Sequence, residues 1–503
     1  MSVPQTPLQV VRHGRLLDVN ECSVRAADVL IEGGTIRAIE APGSKMPEDA
    51  LELDARGRLL MPGLVNAHTH GHGSLGKGLG DRWSLELFLN ALPWAGGGFS
   101  LGDKYLAARL NAAEMVLKGC TAAYDMYFEF PRPSREGMEA TARGYRDVGM
   151  RVVLAPMMAD NNLYRAIPGL LDALPPPHRA QVEALRVAPY TESIQTCREI
   201  LAAWPFDRDW VQPALGPTIP LHCSDEFMRG CVRLAEEFDL RLQMHLAESK
   251  VQALAGVERY GTTLTRHLWD VGAIGPRFTG AHCIWLEDDD IRILAGEGAS
   301  VAHNPGSNLR LGSGIAPARA LLDAGVTVGI GTDGSATSDN QNMFAAVRLA
   351  AFVSRVTTPD YERWLGTPDV LRMATRDSAA ALGWGRRIGV LEPGRQADIV
   401  FLDLSRVNYV PANDLPNQVV NCEDGTGVDS VMVGGRMVLD RGRFTTIDYD
   451  ALRSEAQAAA DRLRAANAPT RERMEAMERF IGMHCVGMMR RPYPVRRRLD
   501  WEE

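Results

Sequence analysis

Apolar runs typical of β-strands alternate with helical stretches through the middle of the chain, across residues 61–385. Segments such as KYLAARLNAAEMVLKG have helical composition and separate the runs. Alternation of strand and helix over about 300 residues indicates a parallel α/β fold, most economically a (β/α)8 TIM-like barrel. The strand-like runs are TAAYDMYF, RVVLAPMM, RLQMHLA, FTGAHCI, ASVAHN and VTVGIGTD.

The segments on either side of this region contain short strands divided by glycine turns. ADVLIEGGTIRAIEA near the N-terminus and SVMVGGRMVLDRGRF near the C-terminus both carry a Gly-Gly hairpin signal. We expect the two flanks to join in one small β-sandwich domain. The predicted units are residues 1–61 and 386–447 for the two halves of the sandwich, 62–385 for the barrel, and 448–503 for a helical C-terminal extension and tail.

Length and composition exclude several classes of protein. The chain has 503 residues, 45% of them hydrophobic and 23% charged, as in an ordinary globular protein with more than one structural unit. Its net charge of −8 argues against nucleic-acid binding. The sequence has neither a signal-peptide pattern nor an apolar run of about 18 residues, and its cysteines are scattered. We therefore expect a soluble, cytoplasmic protein that does not bind membranes.

A candidate metal site begins in the segment PGLVNAHTHGHGS, residues 62–74. His68 and His70 are two residues apart, so a strand would place both imidazoles on one face. Such a pair alone is weak evidence, but His245, His282 and Asp333 also lie at or near the ends of apolar runs. Barrels of this kind carry their catalytic residues at the C-terminal ends of several strands. The sequence thus predicts a full set of metal ligands.

The order of the motifs resembles that of the amidohydrolase superfamily, in its branch of cytosine-deaminase-like, triazine hydrolase and S-adenosylhomocysteine deaminase-like enzymes. The resemblance covers most of residues 55–400 and implies one divalent metal per subunit, bound by His68, His70, His245 and Asp333. It also implies that Glu248 and His282 handle protons. The matching segments are PGLVNAHTH, HLAE (245–248), AHCIW (281–285), HNPGSNLRLGSGIAP (303–317), GTDGS (331–335) and LEPGRQADIV (391–400).

These residue types suit hydrolysis. Three imidazoles and one carboxylate leave room for a water, whose pKa a bound metal lowers to about 7. Glu248 could take a proton from this water and pass it to a ring nitrogen or leaving group, whereas an exposed loop acid is the alternative. His282 could orient the water or polarise the attacked centre, and the alternative is a core histidine bonded to a backbone carbonyl. We predict that Asp333 is a catalytic residue as well as a metal ligand.

The number of metals follows from the resemblance and from one absence. Two-metal members of the superfamily bridge their ions with a carboxylated lysine from the middle strands. This sequence has no lysine between Lys118 and Lys250. We therefore predict a mononuclear site, with zinc as the first choice and iron as an alternative that fits the same ligands.

Five residues are candidates for contact with the substrate: Trp83, Trp94, Tyr127, Thr218 and His303. Aromatic rings would suit a flat substrate, although core packing is an equal alternative for each. Thr218 stands where the S-adenosylhomocysteine deaminase-like relatives have a histidine, and ALPWAGGGF lacks their glutamate. We therefore expect purine nucleosides to be poor substrates. His303 is equally consistent with a structural histidine.

Three functions remain open on the sequence alone. The first is an aminohydrolase that displaces an amine, or a similar leaving group, from a small N-heterocyclic substrate. The second is a hydrolase of a linear C–N bond in an aryl-urea, carbamate or amide. The third is a non-catalytic metal-binding homologue, which is disfavoured because no ligand position is substituted. We expect a homo-oligomer, a dimer or larger, and the extension could cap a neighbouring subunit or lie in solvent.

Overall fold

The computed structural model of the chain describes residues 8–185 and 187–498. Nineteen strands in these residues form three hydrogen-bonded sheets. The strands are β1 (Gln9–Asp18), β2 (Ser23–Glu32), β3 (Thr35–Glu40), β4 (Leu51–Asp54), β5 (Arg58–Pro62), β6 (Leu64–His70), β7 (Cys120–Tyr127), β8 (Arg151–Met158), β9 (Val211–Pro213), β10 (Gly216–Pro217), β11 (Leu242–Leu246), β12 (Phe278–His282), β13 (Ser300–His303), β14 (Thr327–Ile330), β15 (Asp333–Gly334), β16 (Ile399–Asp403), β17 (Val428–Val433), β18 (Arg436–Asp440) and β19 (Arg443–Phe444).

Helices follow most of the strands in the middle of the chain. Several begin at a side-chain cap; for example, the Ser224 hydroxyl accepts a hydrogen bond from the backbone N–H of Phe227. The α-helices are α1 (Leu85–Ala95), α2 (Leu101–Leu117), α3 (Arg135–Val148), α4 (Leu163–Ala166), α5 (Leu170–Ala173), α6 (Pro176–Glu183), α7 (Tyr190–Ala202), α8 (Asp225–Phe238), α9 (Lys250–Tyr260), α10 (Leu264–Asp270), α11 (Asp288–Gly296), α12 (Pro305–Arg310), α13 (Ala318–Asp323), α14 (Met343–Arg355), α15 (Thr367–Arg372), α16 (Ser378–Ala381), α17 (Leu415–Asn421) and α18 (Tyr449–Met489).

Two parallel sheets form the barrel. One has the order β10-β8-β7-β6-β15, with β9 beside β8, and the other has the order β11-β12-β13-β14. The backbone N–H of Gln243 bonds the carbonyl of Leu215 and joins the sheets at one seam, while the pairing of Asp333 with Thr69 closes the other side. β6, β7, β12 and β13 are buried at every position, as strands covered on both faces are. The predicted α/β fold with parallel sheets is confirmed, and the arrangement of the two sheets is consistent with a barrel.

The two flanks of the chain meet in a nine-stranded sheet with the order β19-β18-β17-β16-β5-β1-β2-β3, in which β4 pairs with β1. β5 and β16 are antiparallel at the junction, where Leu60 lies opposite Phe401. Val11, Ile31 and Ile36 belong to a buried apolar cluster on this sheet, together with Phe401. The sheet therefore draws its core from both ends of the sequence.

The C-terminal extension forms a 41-residue helix, α18, that packs against its own chain. Its face carrying Met477, Ile481 and Cys485 is buried. Asn90 of α1 donates a hydrogen bond to the Met474 carbonyl at 3.0 Å, and the His484 ring lies 2.9 Å from the Pro168 carbonyl. The extension thus braces α1 and the loop around α5, near the barrel. Among the described residues, no helix has an apolar stretch long enough to cross a membrane.

A buried ion pair ties the barrel to the flanking sheet. The guanidinium of Arg151, at the start of β8, donates to both carboxylate oxygens of Asp398, at 3.0 and 3.3 Å. Asp398 also accepts from the backbone N–H of Gly434 at 2.7 Å, and the Arg151 guanidinium lies 4.4 Å from the Trp210 ring. Both charged side chains are almost fully buried. Loss of either partner would leave the other charge buried and unpaired.

We expect Asp398→Ala to lower the free energy of unfolding by about 3–5 kcal/mol, because Arg151 would remain buried without its carboxylate. Urea denaturation followed by circular dichroism measures the change. Arg387→Ala is the control, since Arg387 pairs with Asp209 at the surface, and its effect should stay within about 1 kcal/mol. Equal effects of the two substitutions would contradict a special role for the buried pair.

Candidate metal centre

The ends of four barrel strands bring imidazole and carboxylate groups to one point. The rings of His68 and His70 are 4.7 Å apart between centroids, and His68 and His245 are 5.0 Å apart. The Nε2 atoms of His70 and His245 approach to 3.1 Å. Asp333 Oδ1 lies 3.3 Å from His68 Nε2 and 3.2 Å from His70 Nε2. The structure therefore brings together the four ligands that the sequence predicts, with His282 beside them.

A second set of hydrogen bonds fixes the orientation of each imidazole. In each of the four histidines at the centre, Nδ1 lies within hydrogen-bond distance of an oxygen that can only accept. Nδ1 therefore carries the proton, and Nε2 keeps its lone pair. Each Nε2 of the ligand set can then face the centre. The pairs are His68 with Gln243 Oε1 (2.8 Å), His70 with the Met126 carbonyl (2.8 Å), His245 with the Thr218 carbonyl (2.7 Å) and His282 with Asn308 Oδ1 (2.8 Å).

Several polar atoms at the centre lack a hydrogen-bond partner, and their chemistry fits a bound metal. In the described part of the chain, His68 Nε2, His282 Nε2 and Asp333 Oδ1 are buried without a hydrogen-bond partner. Buried polar atoms are seldom left unpaired, and lone pairs of nitrogen and carboxylate oxygen pointing to one spot suit a divalent cation. Burial lowers the pKa of His68, and burial with the neighbouring imidazoles lowers that of His245. Neutral imidazole is the form that binds metal.

Asp333 is held in place by its own neighbours. Burial alone would raise its pKa, but the nearby side chains of His68 and His70 outweigh burial and hold the pKa well below its ordinary value. The Thr337 hydroxyl donates to Asp333 Oδ2 at 2.7 Å, and Gln341 Nε2 donates to the Asp333 carbonyl at 2.8 Å. Asp333 thus stays ionised, with Oδ1 directed at the imidazoles.

Glu248 lies immediately beyond β11 and is only 2% exposed, which rules out the exposed loop acid. Ala247 has a φ of 48°, and this left-handed residue turns the chain after the strand. Glu248 Oε1 is 3.7 Å from His282 Nε2. Burial, with the negative charges of Asp333 and Glu86, raises the pKa of Glu248 well above its ordinary value. A carboxyl group of raised proton affinity therefore faces the centre.

Backbone strain marks the strand ends that carry His282 and Asp333. Their φ angles are 70° and 61°, in a region that residues other than glycine seldom adopt.

The side chain of Asn308, and not a backbone carbonyl, is the partner of His282 Nδ1. Burial lowers the pKa of His282 to about 4, so this ring is neutral at pH 7.

The five candidate substrate residues lie in different surroundings. Trp83 and Trp94 are buried against each other, 5.9 Å apart between ring centroids. The Tyr127 hydroxyl donates to Glu129, and the Thr218 hydroxyl is 3.8 Å from the Met157 sulphur. Thr218 reaches the centre through its carbonyl, which accepts from His245. His303 lines a different cavity, formed with α13 and α14.

The sequence analysis does not identify the residues whose side chains orient the histidines and Asp333 of the site. Gln243 precedes His245 by two positions on β11, so strand alternation could have placed it on the same face. Asn308 lies within the HNPGSN motif and Thr337 within the loop after Asp333. The sequence analysis assigns no role to His72, whose ring is 5.5 Å from that of His70. Only the folded chain reveals which partner each one meets.

Comparison with known proteins gives the family. The Amidohydrolase family matches residues 59–438. A 5'-deoxyadenosine deaminase of Methanothermobacter thermautotrophicus is 33% identical over 441 residues, 88% of this chain and 95% of that protein. A 5-methylthioadenosine/S-adenosylhomocysteine deaminase of Caldanaerobacter subterraneus is 29% identical over 461 residues, 90% of this chain and 98% of that protein.

Solved structures agree with this match. An adenosine deaminase from Xanthomonas campestris with bound zinc superposes with a TM-score of 0.80 at 27% identity, covering 92% of this chain and 100% of that one. A triazine hydrolase from Arthrobacter aurescens has a TM-score of 0.79 at 27% identity, covering 90% and 99%. With the family match and the assembled His and Asp ligands, the chain belongs to the amidohydrolase family and is a hydrolase that acts on carbon–nitrogen bonds.

Proposed function

We propose that this protein is a mononuclear, metal-dependent aminohydrolase that displaces an amine from a small N-heterocyclic substrate. The observation that carries the proposal is the convergence of His68, His70, His245 and Asp333 beside the buried carboxyl group of Glu248. An intact set of ligands and proton-handling groups argues against a non-catalytic homologue.

A metal bound by these ligands would activate a water and polarise the substrate. Glu248 then has the position and proton affinity to take the proton of the attacking water at Oε1 and deliver it to a ring nitrogen or the departing amine. Asn308 holds the proton of His282 on Nδ1, so His282 Nε2 can accept a hydrogen bond from the water and orient it. Glu248 thus transfers the proton, and His282 positions the water.

The metal is proposed to be a single zinc ion, with iron as an alternative. The zinc-bound adenosine deaminase of Xanthomonas campestris supports zinc, and the lack of lysine between Lys118 and Lys250 supports one ion. Homo-oligomeric assembly and a cytoplasmic location stay predictions. Both would be examined on the purified full-length protein and in fractionated cells of its source.

Purified protein should contain about one equivalent of divalent metal per chain, because one ligand set converges on one point. Inductively coupled plasma mass spectrometry measures the content, and His245→Ala is expected to lower it. Asp125→Asn provides a control, since Asp125 is buried near His70 but accepts from Gly71 and Tyr145 rather than from the ligand imidazoles. Two firmly held metals per active chain would overturn the mononuclear assignment.

Glu248→Gln should retain the metal but lower kcat by about a hundredfold or more, the usual scale for loss of a general acid–base. His282→Asn should also retain metal and reduce turnover. Steady-state kinetics on metal-analysed samples measures both effects. Glu423→Gln serves as a comparison, because Glu423 is as buried as Glu248 but accepts from the backbone N–H groups of Gly425 and Gly427 in the loop after α17. Near-normal kcat in metal-loaded Glu248→Gln protein would assign proton transfer to another residue.

Two kinds of substrate are supported by different observations. The deaminases of Methanothermobacter thermautotrophicus and Caldanaerobacter subterraneus are named for adenosine derivatives, which favours a 6-aminopurine nucleoside. Thr218 and the segment ALPWAGGGF favour a smaller, more apolar heterocycle, because they lack the imidazole and carboxylate suited to a ribose. The triazine hydrolase likeness is consistent with such a substrate. We place the small heterocycle first and the adenosine derivative second.

A substrate panel separates these choices. We expect aminotriazines or aminopyrimidines to release ammonia with kcat/KM of about 10⁴ M⁻¹s⁻¹ or above, the ordinary enzymatic range, and adenosine and 5'-deoxyadenosine to fall well below it. Aryl-ureas, assayed by the release of arylamine, test the alternative reaction, which is hydrolysis of a linear C–N bond. Thr218→His is the diagnostic variant and should raise the relative rate with nucleosides. A nucleoside that reaches about 10⁴ M⁻¹s⁻¹ with the unaltered enzyme would reverse our order.

A further inference from the structure

Glu86 is a buried acidic residue that takes no direct part in the proposed reaction. It lies in the first turn of α1 and is 2% exposed. Its carboxylate accepts a hydrogen bond from the Ser249 hydroxyl at 2.7 Å and another from the Ser84 hydroxyl at 3.0 Å. Ser249 directly follows Glu248 in the sequence. The bond between Glu86 and Ser249 therefore joins α1 to the segment that carries the proton-transferring carboxyl group.

Ser249 also caps helix α9. Its hydroxyl oxygen accepts from the backbone N–H of Gln252 at 3.1 Å, and the Gln252 side-chain oxygen accepts from the backbone N–H of Glu248 at 3.0 Å. The two bonds resemble a capping box, in which side chains at the start of a helix satisfy its free N–H groups. A serine hydroxyl has one proton to donate, and Glu86 receives it. Glu86 thereby fixes the orientation of the hydroxyl that caps α9.

The carboxyl group of Glu248 depends on this segment for its position. Its Oε1 atom is 3.7 Å from His282 Nε2, which is longer than a hydrogen bond. The preceding residue, Ala247, has a left-handed backbone, and its carbonyl accepts from the backbone N–H of Trp285 at 2.9 Å. The Glu248 backbone is thus held by Ala247 on one side and by the cap at Ser249 on the other. A change at Ser249 would therefore move the Glu248 carboxyl group relative to His282.

Helix α1, which carries Glu86, is itself held by two other helices. Asn90 of α1 is fully buried, and its side-chain nitrogen donates to the Met474 carbonyl of α18 at 3.0 Å. Its side-chain oxygen accepts from the hydroxyl of Tyr164, in α4, at 2.8 Å. Because α1 is tied down in this way, the Glu86 carboxylate is a fixed acceptor for the Ser249 hydroxyl.

We propose that Glu86 is a positioning residue for the aminohydrolase reaction, which holds the Ser249 hydroxyl and, through the cap of α9, keeps Glu248 in place beside the metal ligands. The inference rests on the proposed function, because the effect of Glu86 is on proton transfer by Glu248. Glu86 acts through Ser249 and is not itself a catalytic residue. The C-terminal extension contributes to the same positioning, since α18 holds α1.

Steady-state kinetics of the full-length, metal-analysed protein tests the proposal with the heterocyclic amine that has the highest kcat/KM in the substrate panel. Glu86→Ala and Ser249→Ala should each lower kcat by about tenfold or more and change KM by less than about twofold, because a misplaced carboxyl group slows proton transfer without weakening substrate binding. Glu86→Gln keeps an oxygen that can accept from Ser249, and it should lose less of kcat than Glu86→Ala. Ser224→Ala is the matched control, because the Ser224 hydroxyl caps α8 and bonds to Asp160 in the same way on a different helix.

A double-mutant cycle separates positioning of Glu248 from a general loss of structure. In Glu248→Gln protein, the further change Glu86→Ala should cause no additional loss of kcat, because the group that Glu86 positions is already absent. Additive losses would overturn the inference, since Glu86 would then act independently of Glu248. Near-normal kcat in both Glu86→Ala and Ser249→Ala protein, with Glu248→Gln strongly impaired, would also overturn it and would leave the proposed function standing.

Crystal structures of the metal-loaded variants test the inference without turnover. In Glu86→Ala and Ser249→Ala protein, we expect the Glu248 carboxyl group to be displaced from its position 3.7 Å from His282 Nε2, with the metal ligands unmoved. An unchanged carboxyl group would overturn the inference, and Ser249→Ala carries the same test if Glu86→Ala does not fold. Near-normal kcat in Glu248→Gln protein would contradict the proposed function instead, and the crystal structures would still decide whether Glu86 positions Glu248.

Discussion

The structure of the active site depends on hydrogen bonds made behind the imidazoles. His68, His70 and His245 each direct Nδ1 to an oxygen acceptor, which leaves Nε2 as a lone-pair donor towards the centre. Without these bonds, a buried histidine could rotate or bind a proton on the wrong nitrogen. Two of the acceptors are backbone carbonyls, so the barrel strands themselves set the orientation of the ligands. The metal site is therefore a property of the strand ends and not of flexible loops.

Buried polar groups elsewhere join the barrel to the two flanks of the chain. Arg151 and Asp398 join the start of β8 to the flanking sheet, and both belong to segments far apart in sequence. The Met474 carbonyl of α18 accepts a hydrogen bond from Asn90, and α18 covers α1 with an apolar stripe. A buried pair contributes little to net stability by comparison with apolar packing, but it fixes which surfaces meet. The flanking sheet thus contacts the barrel at β8, and the extension contacts the chain at α1.

Two buried carboxyl groups at the centre have opposite pKa shifts. Burial, with the negative charges of Asp333 and Glu86, raises the pKa of Glu248 well above its ordinary value. Burial alone would also raise the pKa of Asp333, but the side chains of His68 and His70 outweigh burial and lower it. The two groups therefore differ in proton affinity because their neighbours differ in charge.

The sequence by itself determined the class of fold and the chemical groups of the site. Alternating runs predicted the parallel barrel, and the spacing of His68 and His70 placed two imidazoles on one strand face, because both signals depend on neighbouring residues along the chain. Only the tertiary structure decided that Gln243 and Asn308 orient His68 and His282, that Glu248 is buried, and that α18 packs on its own chain. Contacts between residues so far apart depend on how helices and strands pack, which local patterns do not encode.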